Sequence, residues 1–265
     1  MRFKSLTGLK RREPREIMLA ALPEDIAITR FALDKAFKIN ELVRKSFKDS
    51  FEWYGFTLAA RDRPETIIDI GLPVNEENIL EYASLVPEKI AAFQEELPPD
   101  LVINGWIHSH GSMDLRKFSA VDEANQRTVL DYVTTKLRQP VAKREIVIDD
   151  LVCLVEGRYQ ETDLAKGSVS LITDRPVQEA VLLETIIGGF CYAIVVGDGG
   201  WHHQEIHYKK RSILSGHAAI RSRAAELRYV ESERRLSEDD VRLLRAEVLE
   251  KIRPVPYKPD VIERM

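Results

Sequence analysis

The run Gly105-Trp106-Ile107-His108-Ser109-His110 places two histidines one residue apart at the end of an apolar stretch. On an extended strand, residues two apart point to the same side, so both imidazoles can aim at one point. A short loop later the chain reads Ser119-Ala120-Val121-Asp122. A serine followed three residues on by an acid marks a capped helix start, here with Asp in the place more often taken by Glu. The first turn of that helix would bring the Asp122 carboxylate back over the strand end. Two imidazoles and a carboxylate make a catalytic zinc set, with the fourth tetrahedral position left for water. Zinc lowers the pKa of that water to about 7, so hydroxide becomes available at neutral pH. The plainer reading of the same residues is a His-x-His pair satisfying buried hydrogen bonds and an Asp122 that only caps its helix.

A second cluster, Trp201-His202-His203-Gln204-Glu205-Ile206-His207, alternates His203, Glu205 and His207 on one strand face. No partner motif accompanies it, so a polar hairpin edge facing solvent is the expectation. Cys153 and Cys191 lie in apolar runs and are expected to be reduced core residues rather than ligands or a disulfide.

The elements that must position these groups follow from periodicity. Ile26 to Leu33 alternates as a strand, and Asp34 is placed to cap a helix reaching about Lys48, with Ala36, Ile39, Val43 and Phe47 on one face. Phe51 to Ala60 is aromatic-rich and strand-like, Arg61 to Pro64 turns, and Thr66 to Leu72 pairs back as a hairpin partner. Asn75 to Glu96 is mainly helical, with a break at Pro87. Leu101 to His108 reads as an interior strand, Gly111 to Phe118 as a polar loop, and 119 to about 137 as a helix with Val121, Ala124, Thr128 and Val133 inward. Residues 139–180 hold three short strand-like runs. Phe190 to Val196, the turn Gly197-Asp198-Gly199-Gly200 and Trp201 to Lys209 read as a β-hairpin. From Ser215 the chain is expected to be helical and charged, ending in a helix begun by Ser237 and followed by an extended proline-bearing tail.

Composition excludes several classes. Apolar residues at 44 % and charged residues at 31 % suit a globular core and argue against wholesale disorder. A net charge of −4 gives no global field for nucleic acid, and the basic Lys10–Arg15 stretch reads as a solvated tail. The apolar run Ile17 to Leu22 is too short for a signal-peptide core, and no stretch approaches the roughly 20 apolar residues of a membrane span. No membrane role and a cytoplasmic location are the expectations.

The combination of an upstream Glu, His-Ser-His at 108–110, a loop, and Ser-x-x-Asp at 119–122 resembles the JAMM (MPN-plus) metalloprotease family. Glu52, in FEWYGFTL, occupies the place of that family's upstream Glu; Glu41 and Glu65 begin no strand of the right kind. The order of strand, helix, Glu-bearing strand, hairpin partner, helix, His-bearing strand and Asp-bearing helix matches as well. The resemblance covers roughly residues 26–138 and resumes at 189–209. Two departures stand out: the loop from Gly111 to Phe118 is one residue longer than is usual, and Gly111 follows His110 where proline is frequent.

The resemblance implies an α/β (α+β) fold of JAMM/MPN, cytidine-deaminase-like type: a central mixed β-sheet flanked by helices. It implies an N-terminal extension over 1–25, a metalloprotease domain over 26–212 with an inserted β segment at 139–180, and a helical C-terminal extension over 213–265. His108, His110 and Asp122 would bind Zn²⁺. Glu52 would move a proton from water to the leaving amine, and Ser119 would help stabilise the oxyanion. The implied activity is hydrolysis of a peptide or isopeptide bond at the C-terminus of a ubiquitin-like protein or its conjugates, with conjugation-pathway enzymes as further partners. Trp53, Met113 and Phe118 are candidate contacts for an extended tail, with core packing as the alternative for each. Competing readings are a non-catalytic scaffold of the same fold, a zinc amidohydrolase acting on a sulfur-carrier protein or small-molecule conjugate, and, weakest, a nucleic-acid binder.

Overall fold

The computed structural model describes residues 14–49, 51–75, 85–113, 115–146, 150–176 and 181–253. They form two compact units, one drawn from residues 22–139, 188–210 and 218–253, the other from 14–21, 140–187 and 211–217. In chain order the elements are β1 (Glu16–Met18), β2 (Ile26–Thr29), α1 (Arg30–Phe47), β3 (Tyr54–Ala60), β4 (Thr66–Ile67), β5 (Asp69–Gly71), α2 (Pro87–Glu96), β6 (Leu101–Ser109), α3 (Ala120–Lys136), β7 (Gln139–Ile146), β8 (Leu151–Val155), β9 (Val169–Thr173), β10 (Leu182–Val196), β11 (His202–Ser212), β12 (Ala218–Ala224), β13 (Leu227–Val230) and α4 (Glu238–Lys251).

The larger unit is built on a mixed sheet in the order β12-β11-β10-β6-β3-β5. β10 runs parallel to β6, while β3 is antiparallel to both β6 and β5. β6 is buried from Val102 onward, as a strand covered on both faces must be. On one face Trp53, Ile107, Tyr192 and Ile194 pack with Ile39 and Val43 of α1 and Leu244 and Val248 of α4. On the other, Phe56, Ile103, Trp106 and Ala193 pack with Ile90 of α2 and Val129 and Val133 of α3. Gly105 is required where β6 passes β10: a Cβ there would stand 2.3 Å from the Tyr192 carbonyl oxygen. A smaller parallel sheet, β13-β2-β4, completes the unit.

In the other unit β1 lies antiparallel to β7, and β8 pairs in parallel with β9. Buried Glu184 accepts from the main-chain N–H of Ser215 at 3.0 Å and faces Arg144 at 3.7 Å. The described part of the expected N-terminal extension is thus partly a strand; its residues 1–13 lie outside the described residues, as do 76–84 and the proline-bearing end 254–265.

Several expectations are corrected. The first helix is capped by Thr29, whose Oγ1 accepts from Ala32 N, not by Asp34, which lies inside it. Thr29 is the last residue of β2, and the helix begins as soon as that strand ends. Pro87 does not break a helix but opens one, where its missing N–H costs nothing. The Thr66 to Leu72 partner is two short strands: β5 pairs with β3, and β4 turns to β2. Residues 218–230 are strands, not helix, because β11 and β2 supply hydrogen-bonding partners on their flanks. Among the described residues of the expected helical extension only 238–251 are helix, and the apolar side of that helix is part of the core around α1. Cys191 is buried but Cys153 is exposed, because on β8 only Leu154 turns fully inward.

Candidate metal centre

β6 ends at Ser109, so His108 is its penultimate residue and His110 follows directly. Their side chains share the face that carries Trp106, and the two Nε2 atoms lie 3.1 Å apart. Asp122 closes the group: Oδ1 stands 3.2 Å from His108 Nε2 and Oδ2 3.2 Å from His110 Nε2. The carboxylate is delivered by a capping box at the start of α3. Asp122 N donates to Ser119 Oγ at 3.2 Å, and Ser119 N donates to Asp122 Oδ2 at 2.7 Å. The bonds that start the helix therefore also orient the acid. All three side chains are buried, and among the described residues they form the one group of three or more such ligands that could hold a metal ion.

The donor spacing suits a small tetrahedral cation, whose bonds of about 2.0–2.1 Å set neighbouring donors about 3.3 Å apart. His110 Nδ1 faces the Leu115 carbonyl oxygen at 2.7 Å. That bond keeps the ring proton on Nδ1 and leaves the Nε2 lone pair for a ligand. His108 is held differently: its Nδ1 is buried without a hydrogen-bond partner among the described residues, and the ring stacks on Trp106 at 4.5 Å between centroids.

Electrostatics agree with one convergent site. Burial pushes the His108 pKa down and outweighs the raising effect of Asp122. Burial acts the same way on His110, but the bonds to Asp122 and Leu115 win and its pKa is raised. Burial alone would raise the Asp122 pKa, yet the hydrogen bonds from both histidines and from Ser119 hold it far below the usual carboxylate range.

Glu52 lies two residues before β3 rather than inside the strand, and it is half-buried. Tyr54 pairs with His108 across β3 and β6, and Ser109 N donates to Trp53 O at 2.8 Å. Continuing that antiparallel register sets Glu52 opposite His110, on the face of the imidazoles. Its carboxyl is pushed up to about 7, chiefly by burial; the His110 charge lowers it and the Asp122 charge raises it.

The remaining candidates separate. Ser119 is the helix cap, and an oxygen that accepts one bond keeps its O–H to donate. Trp53 is fully buried and belongs to the core, because strand alternation turns it away from Glu52. Phe118 is partly buried, 5.8 Å from the His108 ring and 5.4 Å from His203. Met113 is half-buried in the loop, its N–H donating to His110 O at 3.0 Å. The row His203, Glu205, His207 is not a solvent-facing edge: β11 has neighbours on both sides, and only 12 % of the His207 side chain is exposed. Glu205 lies 3.2 Å from His207 Nε2 and 3.6 Å from His203 Nε2.

Sequence reasoning missed Trp106, the Leu115 carbonyl and Trp201, whose ring meets His110 edge-on at 6.3 Å. Trp106 was findable, since it lies two residues before His108 on the same face. Gly111 has φ +53°, a conformation closed to proline. Its carbonyl oxygen accepts from Asp198 N at 2.9 Å. No helix among the described residues is long and apolar enough to cross a membrane. No protein-family model and no curated protein matches the chain.

Proposed function

We propose that this chain is a zinc metallopeptidase of the JAMM/MPN-plus kind, hydrolysing a peptide or isopeptide bond at the C-terminus of a ubiquitin-like protein. The observation that carries the reading is the convergence of His108, His110 and Asp122 within bonding distance of one point, beside a half-buried Glu52.

His108 Nε2, His110 Nε2 and an Asp122 oxygen would hold the ion, the Leu115 carbonyl fixing the His110 tautomer. When bound, zinc supplies a Lewis acid and a water of lowered pKa. Glu52, half-buried beside the ligands, would accept a proton from that water and return it to the leaving amine. Ser119, the cap of α3, would donate its O–H to the oxygen of the attacked carbonyl. An isopeptide and a linear peptide make the same demands on these groups.

The test is metal content by plasma mass spectrometry on the whole protein and on Asp122→Ala, followed by cleavage assays. About one zinc per chain, lost in the variant, is expected for a three-ligand site. Tail-extended ubiquitin-like proteins should be cut and simple amides should not, with Glu52→Gln inactive. Absence of zinc after zinc is supplied overturns the reading in favour of a scaffold.

A further inference from the structure

We propose that Asn40, on α1 and outside the ligand set, is a positioning residue that braces the segment bearing Glu52 against the loop that follows His110. The inference rests on the metal-site reading above.

Asn40 interrupts the apolar face of α1, between Ile39 and the pair Leu42 and Val43, and is 6 % exposed. A buried amide is costly unless both of its ends are satisfied. Here each end is used, and each leads to the site. Trp53 Nε1 donates to Asn40 Oδ1 at 2.9 Å, and Trp53 is the residue after Glu52. Asn40 Nδ2 donates to Asp198 Oδ1 at 3.2 Å. Asp198 N in turn donates to Gly111 O at 2.9 Å, and Gly111 is the residue after His110.

The same two segments are also joined directly. Ser109 N donates to Trp53 O at 2.8 Å, and Trp53 N donates to Ser109 Oγ at 3.3 Å. His110 thus lies between two tethers to Trp53, one through Ser109 and one through Asn40 and Asp198. One tether would let the Glu52 segment pivot against the histidines; two fix its position. Misplacing a reacting group by about 1 Å can cost 100-fold in rate, so such a brace has a functional consequence.

A merely structural Asn40 would do no more than satisfy the Trp53 indole. The two roles separate in a donor–acceptor swap. Asn40→Asp sets two carboxylates against each other. Adding Asp198→Asn restores a donor to face Asp at position 40, which still accepts from Trp53. The readout is Co²⁺ titration of the full-length protein in competition with a chelator, with the visible absorption of the bound ion reporting donor geometry.

Asn40→Asp is expected to weaken Co²⁺ binding by about 10-fold, the low end for a lost support because Asn40 reaches His110 only through Asp198 and Gly111, and to shift the absorption bands. The double variant should regain both. If Asn40→Asp does not fold, Asn40→Leu, which fills the same space without a charge, should show the same loss. A lowered melting temperature with unchanged Co²⁺ affinity and spectrum overturns the brace and leaves the metal site standing. Absence of Co²⁺ uptake by the unmutated protein overturns the metal site itself, and the brace with it.

Discussion

The Asp122 oxygen that accepts the main-chain N–H of Ser119 at 2.7 Å is the same oxygen that faces His110 Nε2 at 3.2 Å. Helix initiation and ligand orientation are therefore one arrangement. This separates two substitutions that would otherwise look alike. Asp122→Asn keeps an oxygen for Ser119 N and should cost the metal-free protein under about 1 kcal/mol, whereas Asp122→Ala removes the cap partner and should cost about 1–2 kcal/mol. Both lose the anionic donor, so both should weaken metal binding by more than the roughly 100-fold typical of an outer-shell loss. Thermal unfolding of chelator-treated protein and chelator-competition titration measure the two effects. Equal stability losses would show that the box contributes nothing to the helix.

Glu52 makes a prediction about pH. Its folded-state pKa is about 7, against an ordinary value of 4.5, and the cause is chiefly burial. Between those values the folded chain holds the proton more tightly than the unfolded chain. Stability of the metal-free protein therefore falls as pH rises from about 4.5 to about 7, and the cost is fully present above that. Glu52 keeps partial contact with water, so the cost is discounted to about 1–2 kcal/mol. Glu52→Gln should then melt above the unmutated metal-free protein at pH 8 and level with it at pH 4.5. A variant less stable at pH 8 would mean that the ionised carboxylate is held by partners rather than strained by burial.

The left-handed backbone at Gly111 limits what can replace it. At φ +53° an Ala costs about 1 kcal/mol, and Pro, locked near −65°, cannot be accommodated. Gly111→Pro should release the bond from Asp198 N and the Leu115 carbonyl from His110 Nδ1, weakening metal binding by at least about 10-fold. Gly111→Asn, a residue that tolerates positive φ, should stay within about 3-fold of the unmutated protein. Unimpaired metal binding by Gly111→Pro would show that the loop path does not hold His110.

How much of this was legible in the sequence differs from element to element, for physical reasons. His108, His110 and Asp122 were readable because strand alternation and a capping box are local rules, and both hold here. The inward face of α3 was not. Val121 is 38 % exposed and Ala124 also faces out, while Asp122, Asn125 and Gln126 are buried. Apolar periodicity points the wrong way wherever a helix turns polar groups toward a site. Residues 218–230 misled in another manner: Ala, Arg and Leu favour helix, and the strands that override them, β2 and β11, are supplied by tertiary structure. The Asn40 link spans 158 positions to Asp198 and leaves no local trace.

The C-terminal segment is tied into the core behind the site. Leu244, Val248 and Ile252 lie in the same cluster as Ile39, Val43 and Trp53, so α4 is packed into the core that backs the site. Its end is tied further: Asn75 N donates to Lys251 O at 2.7 Å, and Arg253 N donates to Asn75 O at 3.1 Å. The Asn75 side chain accepts from Tyr54 N at 2.8 Å, two residues beyond Glu52. Leu244→Ala should therefore cost about 2–4 kcal/mol, read as a fall in the denaturant midpoint with an unchanged slope. Asn75→Ala should cost about 1–3 kcal/mol by removing the side-chain bonds that Asn75 makes with the Tyr54 N–H and carbonyl. Removal of residues 213–265 takes away α4 together with β12 and β13, and the remainder should not give a cooperative unfolding transition. A truncated chain that still melts cooperatively at the temperature of the full chain would show that the segment is an appendage and that Glu52 is held without it.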